Sequence, residues 1–406
     1  MAKNNKFTSG VGSLKRRRPR TVQHRKVKMK RIGNLFETIC SIENLMLADR
    51  LARRGKLNSY GVKLHDRNRE QNILDLRASL LERTYHTSRY DNFMLNCDNG
   101  KLREISRLPY YPDRITHHAI MNIIEPIFVK VFTADTYSCI KGRGIHSAAE
   151  KLKNILKSDP DGTKYCLKLD IRKFYPNIDH DILKAKLRKK IKDHNLLWLL
   201  DEIIDSAPGV PIGNYLSQYF ANLYLTYFDH WLKEELKVKY YFRYCDDMII
   251  LSGDKAELHA LRLKVDQYMK DNLSLVVKGN WQVFPVDARS LDFVGYRFYH
   301  THTLLRKSIK KAFARKMAHL HGEPLLKSYA AYMGWARHCN SYHLIQKLTN
   351  EEILRLRNKI GSGNDGKQDH DCENTKPGDN GTELQDRGQQ VPQKQEWKML
   401  VLTNRS

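Results

Sequence analysis

The 406-residue chain carries 71 Lys and Arg against 45 Asp and Glu, a formal net charge of +26, with 41% apolar and 10% aromatic residues. That composition excludes general disorder, and the length suits two or three modules. No apolar run approaches the roughly 20 residues that cross a bilayer, the basic N-terminus lacks the apolar stretch of a secretory signal, and seven scattered cysteines suggest neither a disulfide framework nor a zinc site.

The expectation is therefore a soluble, cytoplasmic protein with no membrane partner. Residues 1–31 hold twelve Lys and Arg and no acid, which reads as a flexible basic arm. Residues 32–360 hold 53 basic and 37 acidic residues, so a patterned body also keeps positive charge, for which polyphosphate is the usual partner. From Ile32 to about Arg54 apolar residues recur at helical spacing up to Gly55, and Asn72–Leu81 carries a second helical stripe. Segment 101–108 alternates as a strand does, and Pro109 and Pro112 lead into a helix over 113–128. Lys164–Asp170 predicts a short apolar strand ending on an acid, followed by helices over 180–191 and 215–236. Residues 239–244 and 248–252 form a hairpin pattern around Cys245, Asp246 and Asp247. A helix over 254–272 leads to an expected strand at 273–278, further strands near 293–300, and basic helices from Lys307 to about Ile360. Residues 361–406 are polar and patternless and read as a disordered tail.

Three acids dominate the chemistry. Asp170 ends one apolar strand, and Asp246 and Asp247 lie between two others 76 residues later. Carboxylates held near a core need a neutralising cation, and hard oxygen ligands suit Mg²⁺. Two such ions would activate a 3′-hydroxyl and stabilise a leaving pyrophosphate. An isolated Asp-Asp is ordinarily a solvated turn, but the flanking YYFR and MIIL leave little room for one.

Tyr244-Cys245-Asp246-Asp247 resembles the Y-x-D-D box of reverse transcriptases, and LKLDIRKFYPNID at 167–179 resembles their first aspartate motif. RLPYYPDRITHHAIMNIIEPIF and TYSCIKGRGIHSAA precede these, VPIGNYLSQYFANLYL lies between them, and FVGYRFYHTHTLLRKS follows, all in the family's order over roughly residues 32–350. Ile212-Gly213-Asn214-Tyr215-Leu216-Ser217-Gln218 departs from the Q-G-x-x-x-S-P of group II intron enzymes and retrons and is similar to the enzymes of diversity-generating retroelements. Some phage-defence reverse transcriptases share parts of this pattern.

The resemblance implies an α+β right-hand polymerase with fingers at 32–160, a palm of antiparallel sheet backed by helices at 161–300, and a short helical thumb at 301–360. It implies Mg²⁺ held by Asp170, Asp246 and Asp247, with Ile171 beside them at the metal, and RNA-directed DNA synthesis from dNTPs. Tyr175 falls at the steric gate that excludes a ribose 2′-hydroxyl, with Phe174 next to it; an ordinary core aromatic is the other reading. Arg103 falls where the fingers meet the triphosphate, or is a solvated strand charge, and Lys278 falls near the leaving pyrophosphate. Ile212, Gly213, Ser217 and Gln218 would flank the nucleotide. Ile212 stands where accurate relatives carry Gln, which implies low fidelity opposite template adenines, and a simple packing Ile fits the same residue. Lys141 and Arg143 would approach template phosphates, and Lys307, Lys310, Lys311 and Arg315 would track a template–primer duplex or form a solvated face. The implied partners are a template RNA, the primer and cDNA, and a small basic accessory protein that forms a helical-bundle oligomer. An inactivated, RNA-binding palm is the rival from another class, and the intact set of three aspartates argues against it. His117 and His118 read as core or surface rather than as ligands, Trp335 as a helix-packing aromatic, and Cys245 as a filler, since no base stands ready to activate it.

Overall fold

The computed structural model describes residues 31–97 and 101–356. The expected arm, apart from Arg31, the expected tail at 361–406 and the last four residues of the expected thumb lie outside the described residues. The chain opens with helices α1 (Phe36–Ile39), α2 (Ile42–Ala52), α3 (Tyr60–Asp66) and α4 (Arg69–Leu81), then a hairpin of β1 (Asp91–Cys97) and β2 (Lys101–Arg107). The single helical stripe expected over Ile32–Arg54 is divided because the Ser41 hydroxyl accepts the Asn44 amide at 3.2 Å and starts a new helix. Strand β1 is not legible in the sequence, since DNFMLNC lacks the alternation of its partner.

Helices α5 (Ile115–Val129) and α6 (Ile145–Ser158) lead to β3 (Tyr165–Asp170), and α7 (His180–Arg188), α8 (His194–Asp205) and α9 (Tyr215–His230) lead to the hairpin of β4 (Tyr240–Tyr244) and β5 (Asp247–Ser252). Helix α9 ends in one wider turn over Trp231–Glu235 rather than running unbroken to 236. Then come α10 (Lys255–Leu273), β6 (Gln282–Pro285), the short α11 (Val286–Arg289), and the strands β7 (Leu291–Phe293), β8 (Tyr296–Phe298) and β9 (Thr303–Leu305). Helices α12 (Lys307–His319), α13 (Gly322–Ala336) and α14 (Tyr342–Leu348) follow, and α12 packs on α13.

The central sheet has the order β4-β5-β3-β6, with every neighbouring pair antiparallel. Its middle strands are apolar at almost every position because both faces are covered. Leu167, Leu169, Met248 and Ile250 join the core that contains Leu258 and Val265 of α10. Cys166, Ile249 and Leu251 point the other way, into the core that contains Ala148 and Leu152 of α6 and the β7–β9 sheet. The expected strand at 273–278 is not one. Ser274 takes a left-handed conformation that closes α10, and the segment after it makes only an isolated bridge between Val277 and Ile171. The sheet's fourth strand comes later, at β6. Among the described residues no helix is long and apolar enough to cross a membrane.

Candidate active site

Sheet register brings the acids together. Asp170, the last residue of β3, pairs opposite Asp247, the first residue of β5. Tyr244 also pairs with Asp247, so Cys245 and Asp246 are the two residues of the hairpin loop. Cys245 has φ +54°, the left-handed value that such a tight hairpin demands of its first loop residue and usually obtains from Gly. Past Asp170, the Arg172 amide donates to the Val276 carbonyl at 2.9 Å and the Lys278 amide to the Asp170 carbonyl at 2.8 Å. That pairing turns the Ile171 carbonyl away from the 276–278 segment. The Ile171 side chain is buried, so only its carbonyl is suited to a cation.

The electrostatics of this corner favour a cation. Asp170 and Asp247 each leave Oδ1 buried without a hydrogen-bond partner. Burial pushes the Asp247 carboxyl up to about 6, with the Lys168 ammonium opposing and Asp170 adding to the rise. Burial and the charge of Asp170 likewise raise Asp246, while Lys278 and Arg103 pull it down. Lys278 Nζ sits 2.5 Å from Asp170 Oδ2, and Lys168 Nζ 3.4 Å from Asp247 Oδ1. Carboxylate oxygens that accept no hydrogen bond, in a half-buried and mutually repelling set that the two lysines only partly neutralise, are what a hard divalent ion satisfies. Among the described residues no three His, Cys, Asp or Glu side chains already form a cage. Mg²⁺ does not need one, since it binds through one or two carboxylates and completes its shell with water and phosphate.

The other expected residues divide into those at this corner and those the fold uses elsewhere. Lys278 touches Asp170 directly, and the charge of Arg103 on β2 is felt at Asp246. The Tyr175 hydroxyl lies 3.8 Å from Cys245 Sγ, and burial beside that thiol raises the phenol well above its usual range. Phe174 is a correction: it is 2% exposed and packs edge-on against Tyr175 and Tyr224, so its ring belongs to the core rather than to a nucleotide. Ser217 is a second correction, because it is buried and its hydroxyl donates to the Pro211 carbonyl at 2.6 Å, bracing the loop before α9. Gln218 is half-buried on the next position of α9. The Ile212 carbonyl accepts the Ser106 amide at 2.8 Å, which docks β2 on this loop. Gly213 makes that docking possible: its φ is +125°, and a Cβ there would stand 2.4 Å from the Ser106 carbonyl oxygen.

Lys141 is exposed on a turn closed by Gly142, whereas the Arg143 guanidinium donates to the Thr133 carbonyl at 2.9 Å and so holds its own loop. Lys307, Lys310, Lys311 and Arg315 are exposed on α12, with Phe313 and Met317 buried on its opposite side. His117 is buried and His118 stacks on Tyr215 with ring centroids 4.4 Å apart, so both pack rather than ligate. The Cys245 thiol is raised by burial, as a filler's should be.

Three residues have no place among the expected ones: Lys168 beside Asp247, and Arg243, which reaches the Cys245 carbonyl, with its partner Asp229. Lys168 also donates to the Asp292 carbonyl at 2.5 Å, joining Asp247 to β7. The sequence signal for Arg243 is a charge at a buried position of an apolar strand, YYFRY.

Residues 94–298 match the family model described as reverse transcriptase (RNA-dependent DNA polymerase). The protein YkfC of Escherichia coli is 23% identical over 266 residues, covering 55% of this chain and 70% of that protein. The group II intron-encoded protein LtrA of Lactococcus lactis is 25% identical over 182 residues, covering 42% of this chain and 30% of that protein. Apo telomerase from Candida tropicalis superposes with a TM-score of 0.44 at 13% identity, over 68% of this chain and 59% of that one.

Proposed function

Because this chain belongs to the reverse transcriptase (RNA-dependent DNA polymerase) family, we propose that it extends a primer 3′-hydroxyl with deoxynucleotides copied from an RNA template. Its α+β architecture is the right-hand polymerase of that family, with the central antiparallel sheet carrying the acids. In this reading residues 32–160 are fingers, 161–300 palm and 301–360 thumb.

The single observation that carries the chemistry is the pairing of Asp170 with Asp247, each with a buried Oδ1 that accepts no hydrogen bond, beside Asp246 at the hairpin tip. Asp170, Asp246 and the Ile171 carbonyl, with Asp247 behind them, would hold divalent ions, with Mg²⁺ as the ion of this proposal. When bound, such ions lower the pKa of the attacking hydroxyl and offset charge on the leaving pyrophosphate. The chain's own residues do the rest. Lys278 offsets the charge of Asp170 and stands ready for the phosphate tail. Arg103 brings a second positive charge from the β1–β2 hairpin, where it stabilises a triphosphate drawn into the corner. Tyr175 places an aromatic wall next to the hairpin loop, against which a ribose 2′-hydroxyl would clash.

A finer reading is a polymerase of the diversity-generating retroelement type, copying a template-repeat RNA with errors so that the cDNA replaces a variable region of a target gene. It rests on the I-G-N-Y-L-S-Q sequence at 212–218. Ile212 offers no side-chain donor at the nucleotide position, so base-pair geometry is checked by shape alone and misincorporation opposite adenine rises. A small basic helical-bundle accessory protein belongs to this reading. The alternative within the same chemistry is a phage-defence reverse transcriptase with a dedicated noncoding RNA.

Primer extension on an RNA template with Mg²⁺ and dNTPs, followed by product sequencing, tests both levels. Wild type extends and Asp246→Asn loses at least about a thousandfold in rate, since removing one metal carboxylate removes transition-state charge stabilisation. Errors concentrated at template adenines support the retroelement reading, and accurate or untemplated products favour defence. Continued silence of the wild type with its RNA and accessory protein present overturns the polymerase assignment.

A further inference from the structure

We infer that Arg243 and Asp229 are positioning residues of the polymerase corner: a wholly buried guanidinium–carboxylate pair that grips the Cys245 carbonyl and so fixes where the hairpin loop presents Asp246. This rests on the polymerase reading for its kinetic consequence but not for its geometry.

Both side chains are fully buried. All five N–H groups of Arg243 find acceptors. Nε donates to Asp229 Oδ1 at 2.8 Å, and Nη2 to Asp229 Oδ2 at 2.6 Å and to Thr136 Oγ1 at 3.3 Å. Nη1 donates to Asn222 Oδ1 at 3.1 Å and to the Cys245 carbonyl at 3.2 Å. The Tyr241 hydroxyl at 2.6 Å and the Thr136 hydroxyl at 3.2 Å complete the acceptor capacity of Asp229. Asn222 in turn donates to the Ser138 carbonyl at 2.8 Å, and the Ser138 hydroxyl lies 2.8 Å from Cys245 Sγ.

Stability alone does not explain such a network. Replacing a buried ion pair with apolar side chains of similar volume is often neutral or stabilising, so the pair's value lies in what it specifies. Its direct bond to the hairpin loop is the one to the Cys245 carbonyl. That residue sits at φ +54°, where a non-glycine residue is strained and its carbonyl direction decides the path of the next peptide. The next residue is Asp246. Strand β4 is also the sheet's edge, so no further strand steadies it. Segment 135–137 covers that edge instead, with the Arg243 amide donating to the Asp135 carbonyl at 2.9 Å and the Tyr137 amide to the Arg243 carbonyl at 3.0 Å. Arg243 thereby ties the loop to α9 through Asp229 and Asn222 and to the edge cover through Thr136.

The test removes both charges together, so that no lone buried ion unfolds the chain. The double variant Arg243→Met, Asp229→Leu is compared with wild type and with Arg243→Lys, which restores the charge but not the planar fork. The expected result is a kcat in primer extension lowered by about a hundredfold with the dNTP KM changed less than about threefold, the scale of a misplaced reacting group. Amide hydrogen exchange over residues 240–252 rises in both variants, while exchange in α12 and α13 is unchanged. Wild-type kcat and wild-type exchange in the double variant overturn the inference. Should the double variant fail to fold, Arg243→Lys carries the same comparison, and full activity with full protection there overturns it equally. A wild-type chain that makes no DNA overturns the polymerase reading, while the exchange comparison still decides whether the pair orders the loop.

Discussion

Tyr175 joins two motifs that lie 70 positions apart, because its hydroxyl reaches the Cys245 thiol behind the hairpin loop. Its ring is partly buried beside that loop while its neighbour Phe174 goes into the core, which leaves Tyr175 as the aromatic for the proposed gate. Replacing Tyr175 with Ala should therefore relax sugar selection more than it lowers deoxynucleotide addition. The expected change is a loss of about tenfold to a hundredfold in the dNTP-to-rNTP ratio of kcat/KM, the range for removing a steric contact of this size. An unchanged ratio returns Tyr175 to a packing role. A different titration belongs to His117. Burial, with Arg114 adding, pushes its pKa down to about 3, whereas an unfolded histidine titrates near ~6.5. Between those values the unfolded chain binds a proton that the native chain refuses, so stability falls as pH drops through this window and is unaffected above it. Denaturant titrations at pH 7.5 and pH 5 should show His117→Leu losing less stability on acidification than wild type, by up to about 1.4 kcal/mol per pH unit within the window. Equal losses in the two proteins would remove His117 as the cause.

At the scale of elements, the contact that couples the β1–β2 hairpin to the acids is a backbone one, from the Ser106 amide to the Ile212 carbonyl. Only a residue without Cβ lets β2 approach the loop before α9 there, since a methyl group at 213 meets the Ser106 carbonyl oxygen at 2.4 Å in a conformation that L side chains rarely adopt. Gly213→Ala should push the hairpin, and Arg103 with it, off the corner. The expected effect is a rise of about tenfold or more in dNTP KM, with the thermal midpoint little changed because the core lies elsewhere. An unaltered KM would mean that the hairpin adjusts freely. This backbone bond marks the limit of sequence reading. Strands β3 and β5 are legible because both faces are buried and the runs are unbroken, and the acids at their ends stand out against them. Strand β1 is not, since its described residues are mostly exposed and its pairing comes from β2. The segment 273–278 reads as a strand by composition, yet Ser274 serves to close α10. The roles of Ser217, Arg143 and Arg243 escape the sequence for one reason: their partners are backbone carbonyls or residues distant along the chain, which no local pattern records.

For the whole molecule, the +26 charge matters only where it is free to meet phosphate. Much of it is not. Asp49 absorbs Arg53 and Arg69, Asp205 takes Lys184, and Asp201 takes Arg188. Helix α12 differs, since Lys307, Lys311 and Arg315 recur every four residues on its exposed side with Lys310 beside them, and the first turn holds no acid. Its other side is anchored by Phe313 and Met317 against α13, so the basic face is presented on a rigid support. The proposal is that this stripe follows a helical phosphate backbone and reads no sequence. Substituting all four residues by Gln should weaken binding of an RNA–DNA duplex on every sequence tested and flatten the dependence of log K on log salt by up to about four units, close to one for each phosphate that the variant leaves unneutralised. If these residues only hold the duplex backbone, kcat at saturating duplex stays within about twofold of wild type, as expected for uniform binding that is equal in ground and transition states. Fluorescence anisotropy between 50 and 300 mM salt, about the range over which such interactions weaken, reads the slope directly. A slope that does not move would make α12 a solvated face and place duplex tracking on other basic residues. A lowered kcat at saturation would instead mean that α12 aligns the primer end with Asp170 and Asp246, a positioning role rather than a binding one.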